Sequence, residues 1–203
     1  MVMKLQFKHQ KFQADAAKAV VDVFEGQPKD AASYMIDPGR GGRQLNIGED
    51  KVSIGWSNNP IILTKERILE HIRDIQQKNL IEPSSDVVCD VPGKYNLTVE
   101  METGVGKTYT YIKTIFELHK RYGWTKYIIV VPSIAIREGV KKSFDITKEH
   151  FKEEYGEEIR TFIYNSANLT DLKIFERERS IQVMIINSQA FNASGKDARR
   201  IYM

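Results

Sequence analysis

Met101-Glu102-Thr103-Gly104-Val105-Gly106-Lys107-Thr108 decides the fold, because this stretch ends in the Gly-Lys-Thr of a phosphate-binding loop. Gly104 and Gly106 permit a turn whose backbone N–H groups point at phosphate oxygens, and a helix beginning at Lys107 would add its N-terminal partial charge. We expect Lys107 to reach the β- and γ-phosphates and the Thr108 hydroxyl to coordinate Mg²⁺. The strict pattern has Gly in place of Met101, so the alternative is an ordinary glycine turn before a helix.

The segments around this loop alternate between strand and helix patterns. Residues 96–101 predict a short strand before the loop, and residues 107–122 predict the helix after it. The apolar run Lys126–Val131 predicts a strand that is buried on both faces and central in its sheet. The remaining predicted elements are a helix over 134–155, a strand over 161–164, a short helix over 172–177 and a strand over 181–187. Such alternation predicts an α/β fold with a parallel sheet and flanking helices.

The region before residue 95 has a different pattern. We predict an amphipathic helix over residues 10–25, whose apolar residues include Phe12, Ala16 and Val20, and a second helix over 65–78 capped by Thr64. Between them, residues 44–56 alternate around Gly48-Glu49-Asp50 like a hairpin. The Pro and Gly breaks that follow place a boundary near Tyr95. We therefore predict an N-terminal appendage over residues 1–94 and a nucleotide-binding α/β region over residues 95–203.

Composition excludes several classes of protein. The 203 residues are 41% hydrophobic and 28% charged, which is typical of a globular domain and not of a disordered chain. One cysteine, Cys89, cannot form an internal disulfide or a multi-thiolate zinc site. No apolar stretch is long enough to cross a bilayer, so we expect no membrane association and a cytoplasmic location. The net charge of +3 is too small to identify a nucleic-acid-binding protein by itself.

Hydrolysis of a nucleotide needs more than the loop, because acidic side chains must hold Mg²⁺ and orient water. Lys126–Val131 is followed by Pro132-Ser133, and the strand over 181–187 is followed by Ser188-Gln189, so neither strand end supplies an Asp-Glu pair. The acidic residues at 153–154 and 157–158 fit a solvated helix surface instead.

Two runs of sequence resemble the restriction (Res) subunit of type III restriction-modification enzymes, which are superfamily 2 helicase-like motors. The first covers residues 95–109, and the second is Ile128-Ile129-Val130-Val131-Pro132-Ser133-Ile134-Ala135-Ile136-Arg137 and the three residues after it. Phe12-Gln13-Ala14-Asp15-Ala16 and residues 185–192 are similar in order and spacing. The resemblance implies the first RecA-like lobe of a P-loop NTPase that takes ATP and Mg²⁺. It also implies double-stranded DNA and a modification (methyltransferase) subunit as partners.

The resemblance also assigns roles to individual residues. Gln13 matches a glutamine that contacts adenine, although it could equally be a polar residue on an exposed helix face. Thr103, Gly104, Val105, Gly106, Lys107, Thr108 and Tyr109 match the nucleotide-binding motif. Pro132 and Ser133 match a motif that touches the nucleic-acid backbone, with Arg137 adding charge nearby, although Pro-Ser could equally be a strand stop and helix cap. Residues 187–192 resemble a segment with a less well specified DNA contact.

The family continues with an acid-rich motif, a second RecA-like lobe with an arginine finger and a nuclease domain, which 203 residues cannot hold. We therefore expect an N-terminal piece of an ATP-dependent type III site-specific deoxyribonuclease that cleaves foreign DNA. This piece should bind nucleotide but hydrolyse it poorly. Two alternatives stay open: a small-molecule kinase with the same loop, and a non-catalytic module that docks the modification subunit.

Overall fold

The computed structural model describes residues 7–29, 33–37, 53–87, 95–165 and 170–190. The chain divides into two compact units, one formed by residues 1–29 with 60–123 and the other by residues 30–59 with 124–203. The predicted boundary near Tyr95 does not coincide with this division and stays a prediction about domains.

The first unit contains three helices: α1 (Lys11–Asp22), α2 (Lys65–Lys78) and α3 (Lys107–Tyr122). Helix α3 packs against α1, which also contacts α2. The Tyr122 hydroxyl donates a hydrogen bond to the Val21 carbonyl oxygen at 2.8 Å, and Arg121 pairs with Asp22 at 2.6 Å. The buried apolar side chains of these helices are Ala17, Val21, Ile68, Ile112, Ile115, Phe116 and Tyr122.

The three helices lie where the sequence predicted them, but the buried face of α1 is different. Its buried residues are Gln13, Ala17 and Val21, whereas Phe12 is 47% exposed. Of the predicted apolar stripe, Ala16 and Val20 are half-buried, whereas Val23 and Phe24, which end the stripe just after the helix, are buried as predicted. Periodicity alone could not locate the face, because alanines and valines occur on both sides of this helix.

Residues 96–101 do not form the predicted strand, which is a correction to the sequence analysis. In the described residues, this segment has no regular secondary structure, and Val99 is half exposed. A strand needs a neighbour for its backbone N–H and C=O groups. Local β-propensity does not supply that neighbour, so the segment enters the loop in an irregular conformation.

The second unit contains a parallel sheet of β3 (Lys126–Val131), β5 (Ile181–Asn187) and β4 (Ile159–Ile163), in that order. Helices α4 (Ile134–Tyr155) and α5 (Thr170–Arg177) make the connections between successive strands, as parallel pairing requires. This parallel sheet fits the expected α/β, RecA-like fold. A short 3₁₀ turn, Ser188–Ala190, follows β5.

Strand β5, and not β3, is central, so the prediction that Lys126–Val131 is central and buried on both faces is wrong. Residues 181–186 of β5 are all buried, whereas Ile128 and Val130 of β3 are 52% and 53% exposed. The two strands have similar apolar sequences. Strand order depends on pairing between distant segments, and composition does not encode it.

The second unit also contains an antiparallel pair, β1 (Ser33–Asp37) with β2 (Ser53–Ser57). Strand β2 overlaps the second half of the predicted hairpin, but its partner in the structure is β1; residues 44–52 lie outside the described residues. After β2, the Asn58 side chain accepts hydrogen bonds from the amides of Thr125 and Lys126, at 2.7 and 2.9 Å, and donates one to the Lys126 carbonyl at 2.7 Å. One side-chain amide therefore pairs with the start of β3 as a strand would.

Candidate nucleotide-binding site

The loop over residues 102–106 leads directly into α3 through two glycines in the left-handed conformation. Gly104 has φ of +83° and Gly106 has φ of +86°, values that other residues rarely adopt. Gly106 is the N-cap of α3 and supplies no side-chain cap; the Thr110 amide donates to the Gly106 carbonyl at 3.0 Å. The first amides of a helix have no acceptor within it, so this N-terminus is suited to an anion.

Lys107 and Thr108, the predicted phosphate and Mg²⁺ residues, form the first positions of α3. The exposed Lys107 donates from Nζ to the Glu102 carbonyl at 2.9 Å, which closes the loop on itself. A phosphate oxygen would be a stronger acceptor for this ammonium group than a neutral carbonyl. The half-buried Thr108 lies beside Tyr111, one helical turn further on. Burial raises the pKa of the Tyr111 hydroxyl, and the Thr108 side chain partly opposes that shift.

Gln13 of α1 contacts the loop directly. Its Nε2 donates to the Val105 carbonyl oxygen at 2.8 Å, and its side chain is buried. The alternative that Gln13 only occupies an exposed helix face is therefore wrong. A Cβ atom placed on Gly106 would lie 2.5 Å from Gln13 Nε2, whereas one placed on Gly104 would meet no atom of the described residues within 4 Å.

Two aromatic residues near the loop, Phe7 and Tyr111, were not among the predicted site residues. The ring of Phe7, before α1, stacks on that of Tyr109, with centroids 5.9 Å apart and planes 25° apart. Tyr111 lies beside Thr108, and its spacing of three residues on a helix could have indicated this. Phe7 precedes any recognisable element, so no local pattern identified it. The first unit therefore brings together Gln13, the loop and Tyr109; Thr103 is exposed in the turn.

The predicted DNA-contact residues belong to the second unit. Pro132 is exposed, and the Ser133 hydroxyl accepts a hydrogen bond from the Ile136 amide at 3.3 Å, capping α4. Arg137 pairs with Glu138 at 3.1 Å, while its buried Nε has no hydrogen-bond partner among the residues that the structure describes. The helix-cap role of Ser133 is thus confirmed, and its nucleic-acid role stays a prediction. Of the predicted segment 187–192, residues 191 and 192 lie outside the described residues.

The donors around the loop fit a phosphate chain with Mg²⁺. They comprise backbone amides, the Lys107 ammonium group and the Thr108 hydroxyl, whose single oxygen leaves the other metal positions to water and phosphate. Among the residues that the structure describes, no cluster of three His, Cys, Asp or Glu side chains could hold a metal ion. In the same residues, no helix is long and apolar enough to span a membrane.

Comparison with known proteins identifies the family. The family model described as "Type III restriction enzyme, res subunit" matches residues 59–201. The Res subunit of the EcoPI enzyme from Escherichia phage P1 is 42% identical over 122 residues, which are 58% of this chain and 12% of that protein. The EcoP15I Res subunit from Escherichia coli is 40% identical over 121 residues, again 58% of this chain and 12% of the relative.

The StyLTI Res subunit from Salmonella typhimurium is 34% identical over 121 residues, which are 50% of this chain. In all three comparisons the matched region is 12% of the relative's length. The family match extends over most of the chain, from the end of β2 through the phosphate loop and the parallel sheet. This chain belongs to the family of type III restriction enzyme Res subunits.

Proposed function

We propose that this chain is the ATP-binding part of the DNA translocase motor of a type III restriction endonuclease. One observation carries the proposal: two left-handed glycines lead into the uncapped N-terminus of α3, where Lys107 and Thr108 follow. This arrangement collects amide donors, an ammonium group and a hydroxyl around one point, which is what a Mg-nucleotide requires. Family membership favours this motor over the small-molecule kinase alternative.

The base is proposed to be adenine. Gln13 uses Nε2 to hold the Val105 carbonyl, and its Oε1 and second N–H are the groups with which an amide can pair with the edge of adenine. The stacked Phe7 and Tyr109 rings provide an aromatic surface in the same unit. We expect ADP to bind more tightly than GDP.

The chain is proposed to bind nucleotide without hydrolysing it efficiently. The strand ends after β3 and β5 carry Pro132-Ser133 and Ser188-Gln189, not an acidic pair, so no carboxylates orient the attacking water there. Double-stranded DNA, through Pro132, Ser133 and Arg137, and the modification subunit are the proposed partners of the full-length, cytoplasmic enzyme. The relatives are themselves Res subunits of type III restriction-modification enzymes.

Calorimetric titration with Mg-ADP and Mg-GDP tests this function. We expect preferential binding of ADP, with an affinity that falls by about tenfold to a hundredfold in Lys107→Ala and also weakens in Gln13→Ala. Lys120→Ala, at an exposed position in the last turn of the same helix, serves as the matched control. Efficient ATP turnover that requires Lys107 would contradict the proposed inactivity. Folded protein that binds neither nucleotide would contradict the proposed site.

A further inference from the structure

The hydrogen bond from Gln13 to the phosphate loop suggests a role beyond reading the base. It joins two segments that are 92 residues apart in sequence, α1 and the loop before α3. The bond is partly buried, and Gln13 itself is 9% exposed. Shielding from water strengthens such a bond and makes its loss costly, because the Val105 carbonyl would lose its partner.

The position of this bond determines the orientation of a backbone amide. A trans peptide unit is planar, and its C=O and N–H groups point in opposite directions. Val105 O and Gly106 N belong to the same peptide unit. When Gln13 holds the Val105 carbonyl on one side, it therefore directs the Gly106 N–H to the other side. Gly106 is the N-cap residue of α3, where amides are available to bind an anion.

The packing around Gly106 supports the same conclusion. The space beside its Cα is filled by the Gln13 side chain, since a Cβ there would lie 2.5 Å from Nε2. The space beside Gly104 is open. The two glycines share a left-handed conformation, and the only contact at Gly106 shorter than an ordinary van der Waals distance among the described residues is the one with Gln13.

We propose that Gln13 is a positioning residue for the phosphate loop, which orients the Gly106 amide and sets the affinity for phosphate whether or not a base is attached. This inference rests on the proposed nucleotide site. It distinguishes Gln13 from a residue that only recognises adenine, because a pure base reader would have no influence on a ligand without a base.

Titration with Mg-pyrophosphate, which has no base, separates the two roles. Gln13→Met keeps the length of the side chain but removes both polar groups, and we expect pyrophosphate affinity to fall about fivefold. Gln27→Met is the matched control, because Gln27 is also buried and also donates Nε2 to a carbonyl, that of Pro60, at 3.0 Å. Loss of ADP affinity with unchanged pyrophosphate affinity would overturn the proposal.

A second measurement needs no ligand and so remains decisive even if the wild-type chain fails to bind. Backbone ¹⁵N relaxation reports how rigidly the Gly106 N–H is held, with order parameters of about 0.85 for rigid amides and below about 0.6 for flexible ones. We expect the Gly106 value to fall in Gln13→Met and to stay unchanged in Gln27→Met. An unchanged value in Gln13→Met overturns the positioning role, whereas absence of wild-type binding counts against the proposed function alone.

Discussion

Helices α3 and α4 begin in contrasting ways, although each has a small residue at its N-cap, Gly106 in α3 and Ser133 in α4. At α4, the Ser133 hydroxyl accepts a hydrogen bond from the Ile136 amide, so one of the unpaired N-terminal amides is satisfied by the chain itself. At α3, the N-cap is Gly106, which has no side chain to offer. A helix that caps itself is stabilised locally, whereas one without a cap leaves its amides for a ligand.

Lack of a cap is not sufficient to indicate a site. Helix α1 also starts without a side-chain cap, at Gln10, but in an extended conformation and not after left-handed glycines. Two features together distinguish α3. Two left-handed glycines, Gly104 and Gly106, precede Lys107, and Gln13 donates a hydrogen bond to the carbonyl of the residue between the glycines. The comparison between α3 and α4 therefore separates ligand binding from helix stability, and the following changes test that separation.

Lys107→Ala, at the first residue of α3, should have the largest effect. We expect Mg-ADP affinity to fall by about tenfold to a hundredfold, because a charge-assisted bond to phosphate is lost. The free energy of unfolding should change little, since the Lys107 bond to Glu102 is exposed. Calorimetry and chemical denaturation measure the two quantities. An unchanged affinity would remove the distinction between α3 and α4.

Gly106→Ala and Gly104→Ala sharpen the comparison within the loop. Each places a side chain in the left-handed region at a cost of about 1–2 kcal/mol, and Gly106→Ala also displaces Gln13. We expect Gly106→Ala to lower the free energy of unfolding by about 1 kcal/mol more than Gly104→Ala, since it also breaks the partly buried hydrogen bond from Gln13 to Val105. Denaturation of both variants by urea provides the measurement. Equal losses of unfolding free energy in the two variants would show that the Gln13 side chain moves aside without destabilising the fold.

Ser133→Ala tests the N-terminus of α4, where Ser133 is the N-cap. Loss of the cap should lower the free energy of unfolding by about 1 kcal/mol without changing ADP affinity. Thr64→Ala, which removes the corresponding cap from the Arg67 amide in α2, is the matched control for stability. Binding of duplex DNA should weaken in Ser133→Ala but not in Thr64→Ala if Ser133 also contacts the backbone. A change in ADP affinity in Ser133→Ala would contradict the separation of the two helix ends.

The smallest effect concerns Lys126, at the start of the strand that leads into α4. Burial lowers the pKa of Lys126 to about 8 from the ordinary 10.5, partly opposed by the charge of Glu178. At pH values between about 8 and 10.5, Lys126 is largely protonated in the unfolded chain and largely neutral in the folded chain. The free energy of unfolding should therefore rise with pH over this range. Since Lys126 is half exposed, we expect a gain of at most about 1 kcal/mol.

Denaturation of the wild type and of Lys126→Met across this pH range isolates the contribution of Lys126. The variant should lack the rise, while other titrating groups contribute equally to both proteins. Parallel curves for the two proteins would show that the Lys126 ammonium group is solvated in the folded state.

Local sequence determined most of the secondary structure and the central motif. The bounds of α2, α3, β3 and α4 agree with prediction, because their apolar periodicity, Thr64 and Ser133 caps and terminal glycines are all encoded within a few residues. The loop residues Gly104 to Thr108 were identifiable for the same reason. Their chemistry depends on residue type and spacing along the chain, and both are visible in the sequence.

Only the tertiary structure decided strand order, the absence of a strand over residues 96–101 and the role of Gln13. Each depends on whether segments far apart in sequence meet: β5 lies between β3 and β4, and α1 contacts the phosphate loop. Residues 96–101 pair with no strand in the part of the chain that the structure describes. Hydrogen bonds across such distances form only when packing brings the segments together. The sequence by itself thus determined which groups could bind phosphate, and the fold decided which side chain holds them in position.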